Sequence, residues 1–83
     1  AYSILNGEYE VIEADIIETS ELINKELKNA NIPDEIRIGA ILRGEDIIIP
    51  RSNYTFQKDD KVVLLVKNDQ IALVENMFRI SAT

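Results

Sequence analysis

The 83-residue chain contains no cysteine, no histidine and no tryptophan. Without cysteine there is no disulfide, no thiolate nucleophile and no sulfur-ligated metal. Without histidine the commonest general base and a common zinc ligand are missing as well, so only carboxylates, lysine and tyrosine remain for chemistry. Catalytic residues are therefore not expected, and neither is an enzyme. The three glycines, Gly7, Gly39 and Gly44, are too scattered to build a nucleotide-binding loop. Basic residues are also short: nine Lys and Arg stand against fifteen Asp and Glu, a net charge of −6. Such a field repels a phosphate backbone, and no nucleic-acid partner is expected. The aromatics Tyr2, Tyr9, Tyr54, Phe56 and Phe78 are not spaced as a base-stacking platform. No apolar run approaches the roughly 20 residues of a membrane span, and Ala1-Tyr2-Ser3 lacks the features of a signal peptide.

What is present is aliphatic and β-branched. At 46% hydrophobic the chain can form one domain over residues 1–83, although one so small removes only about 60 to 65% of its unfolded surface from water. A thin core of this kind favours pairing with a second copy, so a homodimer is expected. In residues 36–43, Ile36, Ile38, Ala40 and Leu42 fall on one face of a strand and Arg37, Gly39, Ile41 and Arg43 on the other. Gly44 supplies a turn into a short strand over residues 46–49, which Pro50 ends. The KVVLLVK run at residues 61–67 is apolar on both faces and reads as a central strand covered from both sides. Upstream, residues 8–17 alternate as a strand, with Ile12, Ala14 and Ile16 facing one way.

Thr19 and Ser20 suit a helix start, with a stripe of Leu22, Ile23, Leu27 and Ala30 that Asn24 can break into a turn and a two-turn helix. Asn68 suits the cap of a final helix carrying Ile71, Val74, Met77 and Phe78. The predicted class is α+β: a small, largely antiparallel sheet with a short helix after the first strand and a C-terminal helix.

The order of these parts resembles the C-terminal regulatory domain of the TrkA family, also called the RCK or KTN C-terminal domain. The likeness is carried by Gly39-Ala40-Ile41-Leu42-Arg43, the glycine turn, the Ile-Ile-Ile-Pro-Arg run at 47–51, the Lys58-Asp59-Asp60 turn and the aliphatic strand after it. Residues 10–14 and 20–27 correspond to the family's opening strand and short helix. Two positions depart: where the family commonly places glycine, before Lys25 and before Asp60, this chain has Asn24 and Asp59. Asn and Asp are the non-glycine residues that best tolerate left-handed backbone, so both turns are expected to survive. Asn6-Gly7 is a two-residue hairpin signal, whereas the resemblance makes residues 1–7 a linker or the tail of a preceding element, and that second reading is preferred.

The resemblance implies a cytoplasmic ligand-sensing and dimerising module of a potassium transport system, lying at the inner face of the plasma membrane through a channel or transporter subunit. No cofactor is expected in this fragment; NAD or ATP would sit on an upstream nucleotide-binding domain, and cyclic di-AMP is the candidate effector. It would involve Ile36, Arg37 and Ile38, with Asn31 and Ile32 at the mouth and Arg43 as a second guanidinium. The simpler alternative pairs Arg37 and Arg43 with Glu35, Glu45 or Asp46 on the surface, at little energetic value. The aliphatic surplus of Ile41, Ile47, Ile48 and Ile49 is assigned to the dimer interface. No metal site is assigned; Glu8, Glu10, Glu13, Asp15, Glu18 and Glu21 lack the pattern of a calcium loop and read as a charged edge that discourages aggregation. A structural dimerisation module of another cation transporter or antiporter, without its own ligand, is the alternative function. A minimal carboxylate hydrolase using Glu13 and Asp15 is the remote one.

Overall fold

The computed structural model describes residues 2–17 and 19–80. It contains strands β1 (Tyr2–Ile4), β2 (Tyr9–Ile16), β3 (Ile36–Arg43), β4 (Asp46–Ile48), β5 (Lys61–Lys67) and β6 (Phe78–Ile80), and one short helix, α1 (Ile71–Val74). All pairings are antiparallel, in the order β1-β2-β5-β3-β4. Strand β6 pairs residues 14–16 of β2 on the same edge that β1 takes at residues 9–11. The α+β class holds, with the aliphatic β5 at the centre.

The core lies on one face of this sheet. Ile12, Ala14 and Ile16 of β2, Val62, Leu64 and Val66 of β5, and Ile36 and Ile41 of β3 are buried there under Leu22, Ala30, Phe56, Val74 and Phe78. The opposite face of β5 is not sealed by the described residues. Val63 and Leu65 remain half-buried, so the expectation of cover from both sides is met on one side only.

Strand β3 changes face midway. Ile38 pairs with Leu64 and Ala40 with Val63, which leaves Gly39 as an extra residue in a β-bulge. Because side chains alternate with period two, one inserted residue exchanges the faces of everything after it. Ile41 is accordingly a fully buried core residue beside Val62, not an exposed one. Arg37 and Arg43, expected on one face, stand on opposite faces.

Two helices differ from the sequence expectation. Residues 20–30 hold turns and a single 3-10 turn at Leu27–Asn29. Asn24 has φ +69°, which interrupts helical winding, and the local backbone bonds reach sideways: Asn24 N–H to Phe56 C=O at 2.8 Å, Leu27 N–H to Tyr54 C=O at 2.8 Å and Lys28 N–H to Ser52 C=O at 2.8 Å. Ser20 still accepts a hydrogen bond from Leu22 N–H at 3.1 Å, closing a turn rather than capping a helix. At the C-terminal end α1 stops at Val74, and Phe78 buries itself from a strand. Residues at i, i+3 and i+7 are reconcilable with either path, since Phe78 and Ile80 also satisfy period two.

The opening residues take the hairpin form. Tyr2–Ile4 pair with residues 9–11, and the connection passes through Leu5, Asn6 and Gly7 at φ +50°, +57° and +88°. Asn24 and Asp59, the two substitutes for family glycines, lie at φ +69° and +73°. Both turns therefore keep left-handed geometry without glycine.

Candidate functional site

The segment between β2 and β3 crosses beside the start of β3 and leaves a cleft of about 370 Å³. Its walls are Leu27, Lys28, Asn31, Ile32, Pro33, Asp34, Ile36, Arg37 and Ile38. Five of the six residues expected at a ligand site, Asn31, Ile32, Ile36, Arg37 and Ile38, come together here. Asn31 is exposed at φ +53°, which turns the chain toward Pro33, and Ile36 is buried at the floor. Arg37 is exposed, and its side chain has no hydrogen bond or ion pair with another described residue. The neighbouring cation, Lys28, is only 4.0 Å from Glu26 in an exposed pair, an arrangement of little stabilising value. The cleft thus offers aliphatic walls and two accessible cations, with Asp34 as the one acid among its lining residues. That is chemistry for a flat, anionic molecule: guanidinium forks match phosphate and carboxylate oxygens, and the isoleucines give an apolar surface for a ring.

Arg43 is not part of the cleft. The bulge at Gly39 turns it toward the core side, where its Nε and Nη2 donate to Asp60 Oδ1 and Oδ2 at 3.0 and 3.2 Å. Tyr54 completes this cluster. Its hydroxyl accepts from Arg43 Nη2 and donates to Asp60 Oδ2 at 2.5 Å, while Gln57 N–H donates to the same oxygen at 3.0 Å. The Arg43 guanidinium carbon lies 5.4 Å from the Tyr54 ring centroid, and that ring meets Phe56 edge-on at 5.7 Å. Asp60 is 1% exposed. Burial alone would push its carboxyl up, yet the hydrogen bonds from Arg43, Tyr54 and Gln57 N–H outweigh it and hold the group below the usual aspartate range. Burial and the bond to Asp60 push the Tyr54 hydroxyl up to about 12. The hydrogen bond to Asp60 likewise raises Arg43. Reading by strand alternation missed this cluster. The signal available was Asp60 just before an aliphatic strand, where a carboxylate must find donors if its turn is to close.

The expected interface residues separate. Ile47 and Ile49 are 71% and 72% exposed, Ile48 packs partly on the core, and Ile41 is inside. The acidic residues do not form an edge, because β2 is paired on both sides. Glu13 faces Lys61 at 4.0 Å, and Glu18 lies outside the described residues. Among the described residues no group of three carboxylates is gathered as a metal site, and no helix is long and apolar enough to cross a membrane.

Comparison with known proteins bears on the whole of this arrangement. The family profile described as "TrkA-C domain" matches residues 11–79. The chain belongs to the TrkA-C domain family. Among curated relatives, this TrkA-C domain is 36% identical over 80 residues to the Trk system potassium uptake protein TrkA of Azorhizobium caulinodans, covering 96% of this chain and 18% of that protein. It is 34% identical over 64 residues to the Trk system potassium uptake protein TrkA homolog of Archaeoglobus fulgidus, covering 77% of this chain and 15% of the relative. The chain spans less than a fifth of the length of these relatives.

Proposed function

We propose that this TrkA-C domain is a regulatory module of a Trk-type potassium uptake system, working at the cytoplasmic face of a membrane channel or transporter subunit. Its task is to bind a small anionic effector, with cyclic di-AMP the candidate, and to pass that event on through association with a second copy. The domain performs no catalysis; NAD or ATP belongs to an upstream nucleotide-binding domain of the longer protein. The observation that carries this reading is the cleft at the start of β3, lined by Arg37 together with Ile36 and Ile38, where Arg37 has no side-chain partner among the described residues. An arginine that closes no ion pair of its own is available for a phosphate. The names of the curated relatives support the potassium-uptake setting.

Self-association draws support from a second place. Ile47 in the edge strand β4 and Ile49 just beyond it expose their side chains, and on the unsealed face of the sheet Leu42 lies opposite Ile47, with Val63 and Leu65 nearby. A second copy covering them would remove aliphatic surface from water. Whatever ligand acts, it can shift the arrangement of two copies by no more than its differential affinity for the two states.

Calorimetric titration with cyclic di-AMP, NAD, ATP and divalent cations, alongside sedimentation, tests the reading. Binding of cyclic di-AMP that Arg37→Ala weakens by about tenfold or more, the scale of a lost charge-assisted contact, supports it. No heat and no melting shift with any of these, from a chain that sediments as a dimer, would leave the structural dimerisation module instead.

A further inference from the structure

One wall of the cleft is held by a second loop rather than by the sheet beneath it. Leu27 and Lys28 line the cleft, and their backbone N–H groups donate to the carbonyls of Tyr54 and Ser52, both at 2.8 Å. Two further bonds continue this ladder, Asn24 N–H to Phe56 C=O at 2.8 Å and Phe56 N–H to Lys25 C=O at 3.0 Å. A bridge between Glu26 and Thr55 lies at its middle. The wall therefore stands where residues 52–56 stand.

Those residues are in turn anchored by two side chains, Phe56 buried in the core and Tyr54. Tyr54 reaches from the ladder to Asp60 at the foot of β5 and to Arg43, the last residue of β3. Arg43 is also the backbone partner of Asp46 across the turn that opens β4. A continuous set of bonds thus runs from the cleft wall through Tyr54, Asp60 and Arg43 to the hairpin that exposes Ile47.

We propose that Tyr54 is a positioning residue: it sets the place of the Leu27–Lys28 wall and, through Asp60 and Arg43, couples occupancy of the cleft to the β3–β4 hairpin. The coupling half of this inference rests on the regulatory reading above. The positioning half does not, because it concerns bonds within the free chain. Tyr54 is suited to the task since its ring is set edge-on against buried Phe56 and under the Arg43 guanidinium, while its hydroxyl makes the hydrogen bonds to Asp60 and Arg43. Removing that hydroxyl leaves the ring contacts in place and cuts the hydrogen-bonded link.

The experiment compares Tyr54→Phe with the unsubstituted chain by residue-resolved amide hydrogen exchange, without ligand. Protection at Leu27 and Lys28 is expected to fall about tenfold or more relative to the amides of β2 and β5, the sign of a local opening rather than global unfolding. Equal changes at all of these sites, or none, overturn the positioning role. Asp60→Asn serves as the second variant and is expected to loosen the same two amides. The coupling is read by sedimentation with and without saturating cyclic di-AMP. A ligand-induced shift in the dimer dissociation constant that shrinks to under about twofold in Tyr54→Phe supports it. A shift that is absent in the unsubstituted chain, or undiminished in the variant, overturns it. Should cyclic di-AMP fail to bind at all, the effector assignment and the coupling fall, while the exchange result still decides the positioning role by itself.

Discussion

Replacing Asp60 by asparagine keeps the shape of the side chain and removes its charge, which isolates the electrostatic part of the Arg43–Tyr54–Asp60 cluster. Oδ2 accepts three hydrogen bonds, from Arg43 Nη2, Tyr54 and Gln57 N–H, and Oδ1 accepts one from Arg43 Nε. The asparagine oxygen best replaces Oδ2, so its NH2 group must face Arg43 Nε, donor against donor. One bond is lost, the Tyr54 and Gln57 bonds decline from charge-assisted to neutral strength, and the Arg43 Nη2 bond keeps a charge on its donor alone. With roughly 1.5 to 3 kcal/mol for a bond to a charged group and about 1 for a neutral one, the expected destabilisation is about 3 kcal/mol. A domain of this size has a total stability of roughly 4 to 12 kcal/mol, so the loss is a large fraction of the whole. Urea unfolding at one protein concentration should show the midpoint falling by about 3 M, for a slope near 1 kcal/mol/M. The pH dependence supplies an independent check. The folded-state pKa of Asp60 is depressed, so its contribution is complete above the ordinary aspartate value near 4 and is lost as pH falls through the folded value. The gap between the two proteins should be widest near neutrality and close on acidification. A difference below about 1 kcal/mol, on the scale of an ordinary neutral hydrogen bond, or one that stays constant down to pH 2, would refute the reasoning.

Three further outcomes are expected. Ile41→Ala, at a fully buried position, should cost about 3 kcal/mol in urea unfolding, whereas Ile47→Ala, at 71% exposure, should leave monomer stability unchanged and weaken only the dimer seen by sedimentation; equal effects of the two on stability would contradict the bulge at Gly39. An absorbance titration should contain a tyrosine step at about 12 that is absent in Tyr54→Phe; because this pKa is raised above the ordinary value near 10, its contribution to stability is complete below that value and lost as pH rises through about 12. Asn24→Gly should be neutral or stabilising while Asn24→Ala costs about 1 kcal/mol by thermal unfolding, since the position sits at φ +69°; indifference to both would show that this turn relaxes freely.

How far the fold could be read in advance depends on which interactions define each element. Strands β2 and β5 are set by alternation and aliphatic content within a few residues, and both were legible, as was the glycine turn between β3 and β4. The turns at Asn24 and Asp59 were legible too, because left-handed tolerance belongs to the residue itself. The helix expected over residues 20–29 was not, since its amphipathic stripe is real but its backbone bonds go to residues 52–56, far away in sequence. At the other end, the burial of Phe78 in β6 depends on an open edge of β2 that no local pattern announces. For the site the same division holds. Asn31, Ile32, Ile36, Arg37 and Ile38 are close in sequence and line one cleft, while the bulge carries Arg43 away from it and Asp60 was overlooked because its partners lie three, six and seventeen positions away.

The bulge also determines how the two arginines are used. With unbroken alternation over residues 36–43, Arg37 and Arg43 would share the solvent face, and Ile41 would sit there between them, leaving the core side beside Val62 to alanine and leucine. The extra residue at Gly39 moves Ile41 inward and carries Arg43 to the buried carboxylate, so one guanidinium closes the fold. Arg37, before the bulge, keeps the other face and lines the cleft with no side-chain partner among the described residues. Steric need does not explain the glycine, since a Cβ at position 39 would meet only the Val63 carbonyl, at an ordinary 3.6 Å. What matters is that the residue at position 39 stays out of the ladder. Deleting Gly39 should therefore be tolerated, because Ala40 would then follow Ile38 directly opposite Val63, and strict alternation would still place Ile41 beside Val62 and Arg43 toward Asp60; a large loss of stability on deletion, read by urea unfolding, would refute this account of the bulge.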